Sequence, residues 1–236
     1  MNILDLAAVA ILALGLLIGW YHGLLRAASN LGALLLAIVI ALAGHGAMAH
    51  QVLEKDEVIP QLIYYSESDE FLGDIETVRA PVDGLTPESL NVLLEDVALP
   101  HPVESRLRAN LENRAFADEG LTQLGEYLSM TIAHLAVNIV CFLIVFVIAF
   151  VILLVVVHAL DATLQFPVLR YGDSVAGAVI GVLFSVVLLF AAFTAVPIVL
   201  SYDPFEELSI NVDNASVSSL FYRSNVLLAL MKGVIG

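Results

Sequence analysis

The feature that most constrains this chain is a set of apolar runs too long for a water-soluble core. Residues 3–20 are apolar except at Asp5. Residues 27–48 have Asn30, Gly32 and His45 as their notable interruptions. Residues 130–160 and 174–200 repeat the pattern, and residues 139–157 are purely apolar. About 20 apolar residues, at ~1.5 Å each, cross the hydrocarbon core of a bilayer. Apolar residues make up 60% of the chain and charged residues 14%. A soluble domain is about 45–50% apolar and about 25% charged, so the excess here must face lipid. The expected fold is an all-α membrane protein built on a bundle of four transmembrane helices. An acidic, partly helical extramembrane insert and a C-terminal amphipathic helix complete it.

The runs divide the chain into four segments. Residues 1–49 form a first helix pair, joined by a short break at Tyr21 to Arg26. The first run reads as a span rather than a signal peptide. No Lys or Arg precedes it, and no small-residue cleavage site follows closely. Residues 50–128 are polar and carry 17 of the 24 acids against 5 of the 9 Lys and Arg, a local net charge of −12. Within them, Asp83-Gly84 reads as a turn, and Thr86-Pro87-Glu88 reads as an N-cap with Pro at the first helical position. Residues 103–116 have the charge spacing of a solvated helix face. Residues 129–200 form the second pair, joined through a connection containing Pro167, Arg170 and Gly172. Residues 201–236 start acidic and end apolar. Leu220, Val226, Leu227, Leu230, Met231 and Val234 are placed to form one face of a surface helix.

Charge restricts partners and orientation. An acidic insert argues against nucleic acid, whose phosphates need Lys and Arg patches. The two short connections carry Arg26 and Arg170, which favours placing them on the cytoplasmic side. Arg223 and Lys232 in the tail favour the opposite orientation. Asn214-Ala215-Ser216 fits a glycosylation sequon, a chance match in a bacterial setting.

Small and polar residues inside the spans mark packing. Gly15, Gly19 and Gly23 repeat every four residues on one face of the first helix, and Gly177 and Gly181 do the same in the fourth. In lipid, close backbone approach at small residues drives helix association. The same faces would also suit self-association. His134 and Asn138 share a face of the third helix, and such polar groups usually point into the bundle as hydrogen-bonding glue. A proton path is the alternative, but no carboxylate lies at similar depth. Arg26 is expected to pair with Asp173 or Asp161, with Arg170 at the same level, as a clamp between the short loops.

Catalytic and metal signatures are missing from the sequence. There is no Gly-x-Ser-x-Gly, His-Glu-x-x-His, P-loop or dinucleotide fingerprint. The acids Glu67, Asp69 and Glu70 lack the spacing of a calcium loop. Cys141 is the lone cysteine and reads as a packing residue. No cofactor and no metal is expected.

The order of these motifs resembles the colicin V production protein family (CvpA). The first helix ends in Gly19-Trp20-Tyr21-His22-Gly23-Leu24-Leu25-Arg26, similar to that family's Gly-x-x-x-Gly-x-x-Arg stretch. Asn138 followed by an Ile/Val/Phe tract looks like its third helix. Pro167-Val168-Leu169 followed by Gly172-Asp173-Ser174-Val175-Ala176-Gly177-Ala178-Val179-Ile180-Gly181 resembles its short loop and fourth helix. Ser224-Asn225-Val226-Leu227 resembles its closing segment. Ser174 stands where the family usually has Arg, and the insert is longer than in short members. The resemblance implies a multi-pass protein of the bacterial cytoplasmic membrane, without catalytic residues, needed for toxin export and linked to envelope upkeep. Expected partners are the lipid bilayer and a membrane or extracytoplasmic protein, with a homo-oligomer open. The expected role is accessory or scaffolding, and a small oligomeric transporter or channel is the alternative.

Overall fold

The structure, a computed structural model, describes residues 3–66, 68–95, 97, 99–161, 172–202 and 215–231. Its described elements are helical, apart from isolated bridges pairing Ser66 with Tyr202 and Pro81 with Gln123. In chain order the α-helices are α1 (Ile3–Leu53), α2 (Val58–Tyr64), α3 (Ser68–Leu72), α4 (Ile75–Val78), α5 (Pro87–Leu93), α6 (Val103–Glu112), α7 (Leu124–Asp161), α8 (Gly172–Phe193), α9 (Val196–Ser201), α10 (Val217–Arg223) and α11 (Val226–Leu230). Three stretches are long and apolar enough to cross a membrane: Ile3–Leu53, Leu124–Leu160 and Gly172–Ser201. Many of their large side chains, including Leu17, Leu36, Val151 and Val155, lie exposed. Helices bathed in acyl chains have no reason to bury them.

The first two apolar runs differ from expectation. They form one 51-residue element, helical on both sides of Gly23. The break expected over Tyr21 to Arg26 shrinks to Gly23 alone, at φ 80°, ψ 174°. That region of backbone space is open essentially to glycine only. One glycine therefore does what a short loop was expected to do, and the flanking residues stay helical.

The chain forms two compact units. The first comprises Met1–His45, Cys141–Ala195 and Ile210–Leu227. Its core includes Ala8, Leu189 and Phe221, with Leu12, Val186 and Phe193 packed around them. Phe190 and Phe221 meet edge to face at 5.2 Å. His45, buried on α1, donates through Nδ1 to the Ala41 carbonyl at 3.0 Å and stands edge-on to Phe142 of α7.

The second unit comprises Gly46–Val140, Val196–Ser209 and Leu228–Gly236. Here α6 buries Val103, Leu107 and Asn110. The Asn110 amide donates to Thr131 Oγ1 of α7 at 3.0 Å. Ser68 and Ser129 share a buried hydroxyl contact at 2.6 Å. Helix α5 starts at Pro87 with Thr86 as its N-cap, and Ser89 completes a reciprocal capping box. Each cap of this kind satisfies amides that the first turn leaves without partners. Arg106 donates to the carbonyls of Leu228 and Met231 at the end of α11. Burial lowers its pKa from the ordinary guanidinium value. Burial also pushes the Tyr202 phenol up to about 12, so it stays neutral.

The tail departs from the expected single helix. Asn225 Oδ1 accepts the Leu227 amide at 3.0 Å, and its Nδ2 donates to the Phe190 carbonyl at 2.9 Å. Asn in this position caps a new helix start, so α10 ends and α11 begins anew. The expected apolar face is split by this break. Leu227 and Met231 are buried, whereas Leu220, Val226 and Leu230 are exposed. Val234 lies outside the described residues.

Candidate functional site

The site of closest packing lies in the first unit, where α1 meets α8. A β-carbon on Gly19 would stand 2.2 Å from the Gly177 carbonyl oxygen, and one on Gly181 would stand 2.0 Å from that of Gly15. A β-carbon on Gly177 would stand 2.6 Å from the backbone of Gly23. The two glycine rows therefore lie backbone against backbone, each leaving room for the other. Ser185 extends the row by one more turn, and its hydroxyl donates to the Ile11 carbonyl at 3.1 Å. The spacing Gly177, Gly181, Ser185 continues the four-residue repeat with a small hydroxyl side chain in place of glycine.

At one end of this contact stands Asp173, in the first turn of α8. Its Oδ1 accepts the Leu24 amide at 3.1 Å. Gly23 is not helical, so Leu24 begins a fresh helical arm whose first amides lack partners. A carboxylate at that point satisfies one of them and complements the dipole. Of the expected loop clamp, Arg170 and the side chain of Asp161 lie outside the described residues. Arg26 is exposed on the second arm of α1.

Asp5 has the same role at another helix. Its carboxylate accepts the amides of Ser216, Val217 and Ser218 at 2.9–3.0 Å, at the start of α10. Asp5 is 2% exposed, so those bonds form in an apolar setting. Glu126 does likewise at the start of α7, accepting the amides of Thr122 and Gln123. Three carboxylates of the long apolar helices are thus engaged by backbone amides. The sequence signal was a lone acid in the first turn of an apolar run.

In the second unit, His134 and Asn138 occupy α7. The Asn138 side-chain amide donates to the His134 carbonyl at 3.0 Å. This bond runs within one helix, whereas a bond between helices was expected. An amide four residues on can reach back to a backbone carbonyl of its own turn, and here it does. The His134 ring lies 5.2 Å from Phe116, and its Nδ1 is buried without a hydrogen-bond partner. Among the described residues, no group of three or more His, Cys, Asp or Glu is placed to hold a metal ion.

A half-open cleft of about 260 Å³ lies beside the glycine contact, within the first unit. The first arm of α1 lines it from Ile11 to His22, and the second arm contributes Ala27 and Asn30. Phe184 and Leu188 of α8 form the opposite wall. Its lining is apolar apart from Ser185, His22 and Asn30. Compared with known protein families, curated proteins and solved structures, the chain matches none.

Proposed function

We propose that this chain is a four-crossing membrane scaffold that serves protein partners, in keeping with its resemblance to the colicin V production family. On this reading it sits in a bacterial cytoplasmic membrane and supports toxin export or envelope homeostasis. Its work is structural rather than catalytic. The carrying observation is the engagement of Asp5, Asp173 and Glu126 as acceptors for backbone amides at helix starts. Carboxylates held this way stabilise helix junctions and are poorly placed to relay protons. The glycine contact adds rigidity, since backbones in van der Waals contact leave no room for an aqueous path between them.

The count of four crossings rests on Gly23. Each arm of α1 is long enough for the ~30 Å hydrocarbon core. Ile11 and Asn30 line the same cleft, yet a straight helix would hold them about 28 Å apart. A bend at Gly23 therefore brings the two arms toward each other, which supports reading them as two crossings. The acidic insert then lies outside the membrane as the surface that meets a partner.

The second reading, a small oligomeric transporter, is favoured by one observation, the unpartnered Nδ1 of His134. Reconstitution into liposomes separates the two. The scaffold reading expects proton and ion flux no greater than in protein-free vesicles. Flux that disappears in His134→Gln would replace it with the transporter. Crosslinking from residues 58–112 to one defined membrane or extracytoplasmic protein supports the scaffold.

A further inference from the structure

We propose that α7 meets the hydrocarbon of the bilayer only from Val140 onward, and that its earlier part, residues 124–139, stands outside as the core of an extramembrane domain. This rests on reading the acidic insert as extramembrane, and it adds where that domain ends and what it is built around. Length poses the question. The apolar stretch Leu124–Leu160 has 37 residues, about 55 Å of helix against ~30 Å of hydrocarbon. Even a tilt of about 40° leaves about 42 Å along the bilayer normal. One end must protrude, and burial tells which. From Tyr127 to Ile139 no side chain is exposed, and all are buried except the half-buried His134. A helix buried on every side is surrounded by protein rather than lipid. From Val140 the pattern changes, and Val140, Ile144, Val147, Val151, Val155 and Leu160 are exposed. Residues 140–160 number 21, about 32 Å of helix, which matches the hydrocarbon thickness.

The division of the chain into compact units falls at the same residue, since one unit ends at Val140 and the other resumes at Cys141. In α1 the division falls between His45 and Gly46, about 33 Å of helix past the break at Gly23. The surroundings of the buried half of α7 agree. Thr131 accepts from Asn110 of α6, a helix that exposes Glu104 and Glu112. The Phe116 ring stands 5.2 Å from that of His134, and the next three residues, Ala117, Asp118 and Glu119, are all exposed. Were His134 in hydrocarbon, these charges would meet acyl chains, which is costly. His134 and Asn138, expected inside the membrane, are therefore assigned to the core of the extramembrane domain, and His134 lies off any path across the hydrocarbon. One unbroken helix serves both as the pillar of the partner-facing domain and as a crossing.

Depth measurements on the full chain in phosphatidylcholine vesicles test this. In a Cys141→Ala background, single nitroxide labels are placed through Tyr64→Cys, Ala117→Cys, Val140→Cys, Ile144→Cys, Val151→Cys and Leu160→Cys, all at exposed positions. Power saturation with oxygen and with a water-soluble nickel chelate gives an accessibility ratio that rises with depth. A hydrocarbon span over 140–160 has its midpoint beside Val151, so the ratio should peak there, several-fold above Val140 and Leu160. Ala117 should be as open to nickel as Tyr64. Val151→Trp and Val140→Trp in a Trp20→Phe chain that keeps Cys141 give an independent profile. Lipid brominated near the bilayer centre should quench the first several-fold more than the second. A span over residues 130–160 would instead have its midpoint beside Ile144. A peak at Ile144, equal quenching of the two tryptophans, or Ala117 shielded from nickel while Tyr64 is open overturns the proposal and leaves the insert extramembrane. Shielding of both Ala117 and Tyr64 overturns it together with the reading on which it rests.

Discussion

Gly19→Ala and Gly32→Ala make the same change on the same helix and should shift stability in opposite directions. At Gly19 the new methyl would stand 2.2 Å from the Gly177 oxygen and 3.0 Å from the Gly181 α-carbon. Ordinary contact begins near 3.4 Å, so α1 and α8 must separate by roughly 1 Å along the row. A gap of that size forfeits about a quarter to a half of each dispersion contact, and overpacking typically costs about 1–3 kcal/mol. Replacing a helical glycine with alanine returns only about 0.5–1 kcal/mol. The net for Gly19→Ala is a loss of up to about 2.5 kcal/mol. Gly32 is exposed, with nothing within 4 Å of an added methyl. Gly32→Ala should therefore gain up to about 1 kcal/mol. Reversible unfolding of the two variants in mixed micelles, titrated with a denaturing detergent, measures both signs. Equal signs at the two positions would refute the backbone contact between α1 and α8.

Other changes test the caps and the tail. Asp173→Ala leaves the Leu24 amide without its acceptor and should cost about 0.5–2 kcal/mol in the same titration, whereas Asp173→Asn keeps an acceptor oxygen and should cost less. Asp5→Asn keeps one acceptor oxygen for the Val217 and Ser218 amides and loses the one that takes Ser216, so hydrogen exchange should rise at Ser216 and stay below that of Asp5→Ala at 217 and 218. Arg106→Ala uncaps α11 and should cost about 1–2 kcal/mol, with faster proteolysis near residue 228. The His101 pKa is lowered by burial and then by the Arg106 charge. The unfolded chain therefore binds the proton more readily, and stability should fall slightly as pH drops below 6.5. Because His101 stays more than a third exposed, the slope is small. It should lessen in His101→Gln, as thermal melts between pH 5 and 7.5 would show.

Local spacing made part of this structure legible in the sequence. Gly15, Gly19 and Gly23, with Gly177 and Gly181, follow the four-residue repeat that lipid-exposed helices use for close approach. The Thr86-Pro87 start of α5 is likewise a local pattern. Long-range pairing was not legible. Nothing in the first run says that Asp5 will meet amides 211 residues away at Ser216, and nothing near Arg106 points to the carbonyls of Leu228 and Met231. In the tail, the seven-residue interval from Leu220 to Leu227 keeps helical phase across Ser224 and Asn225 and so masks the break. The hydrogen bonds of Asn225 start a new helix there and turn Leu220 and Val226 outward. Asn138 carries an amide that suits a bond between helices, and it donates instead to the His134 carbonyl one turn back. The positive φ of Gly23, which concentrates the whole break in one residue with Asp173 and Gly177 across from it, has no signal in the four-residue spacing.

The most direct test of the account is whether residues 3–53 cross the membrane twice or once. Cys141 is replaced by Ala, and single cysteines are placed at Asn2, His22 and Glu54. Each is labelled in intact vesicles with a membrane-impermeant maleimide. Two crossings that meet at Gly23 predict that positions 2 and 54 react from one side and position 22 from the other. Positions 2 and 54 reacting from opposite sides would mean a single crossing and would contradict the account.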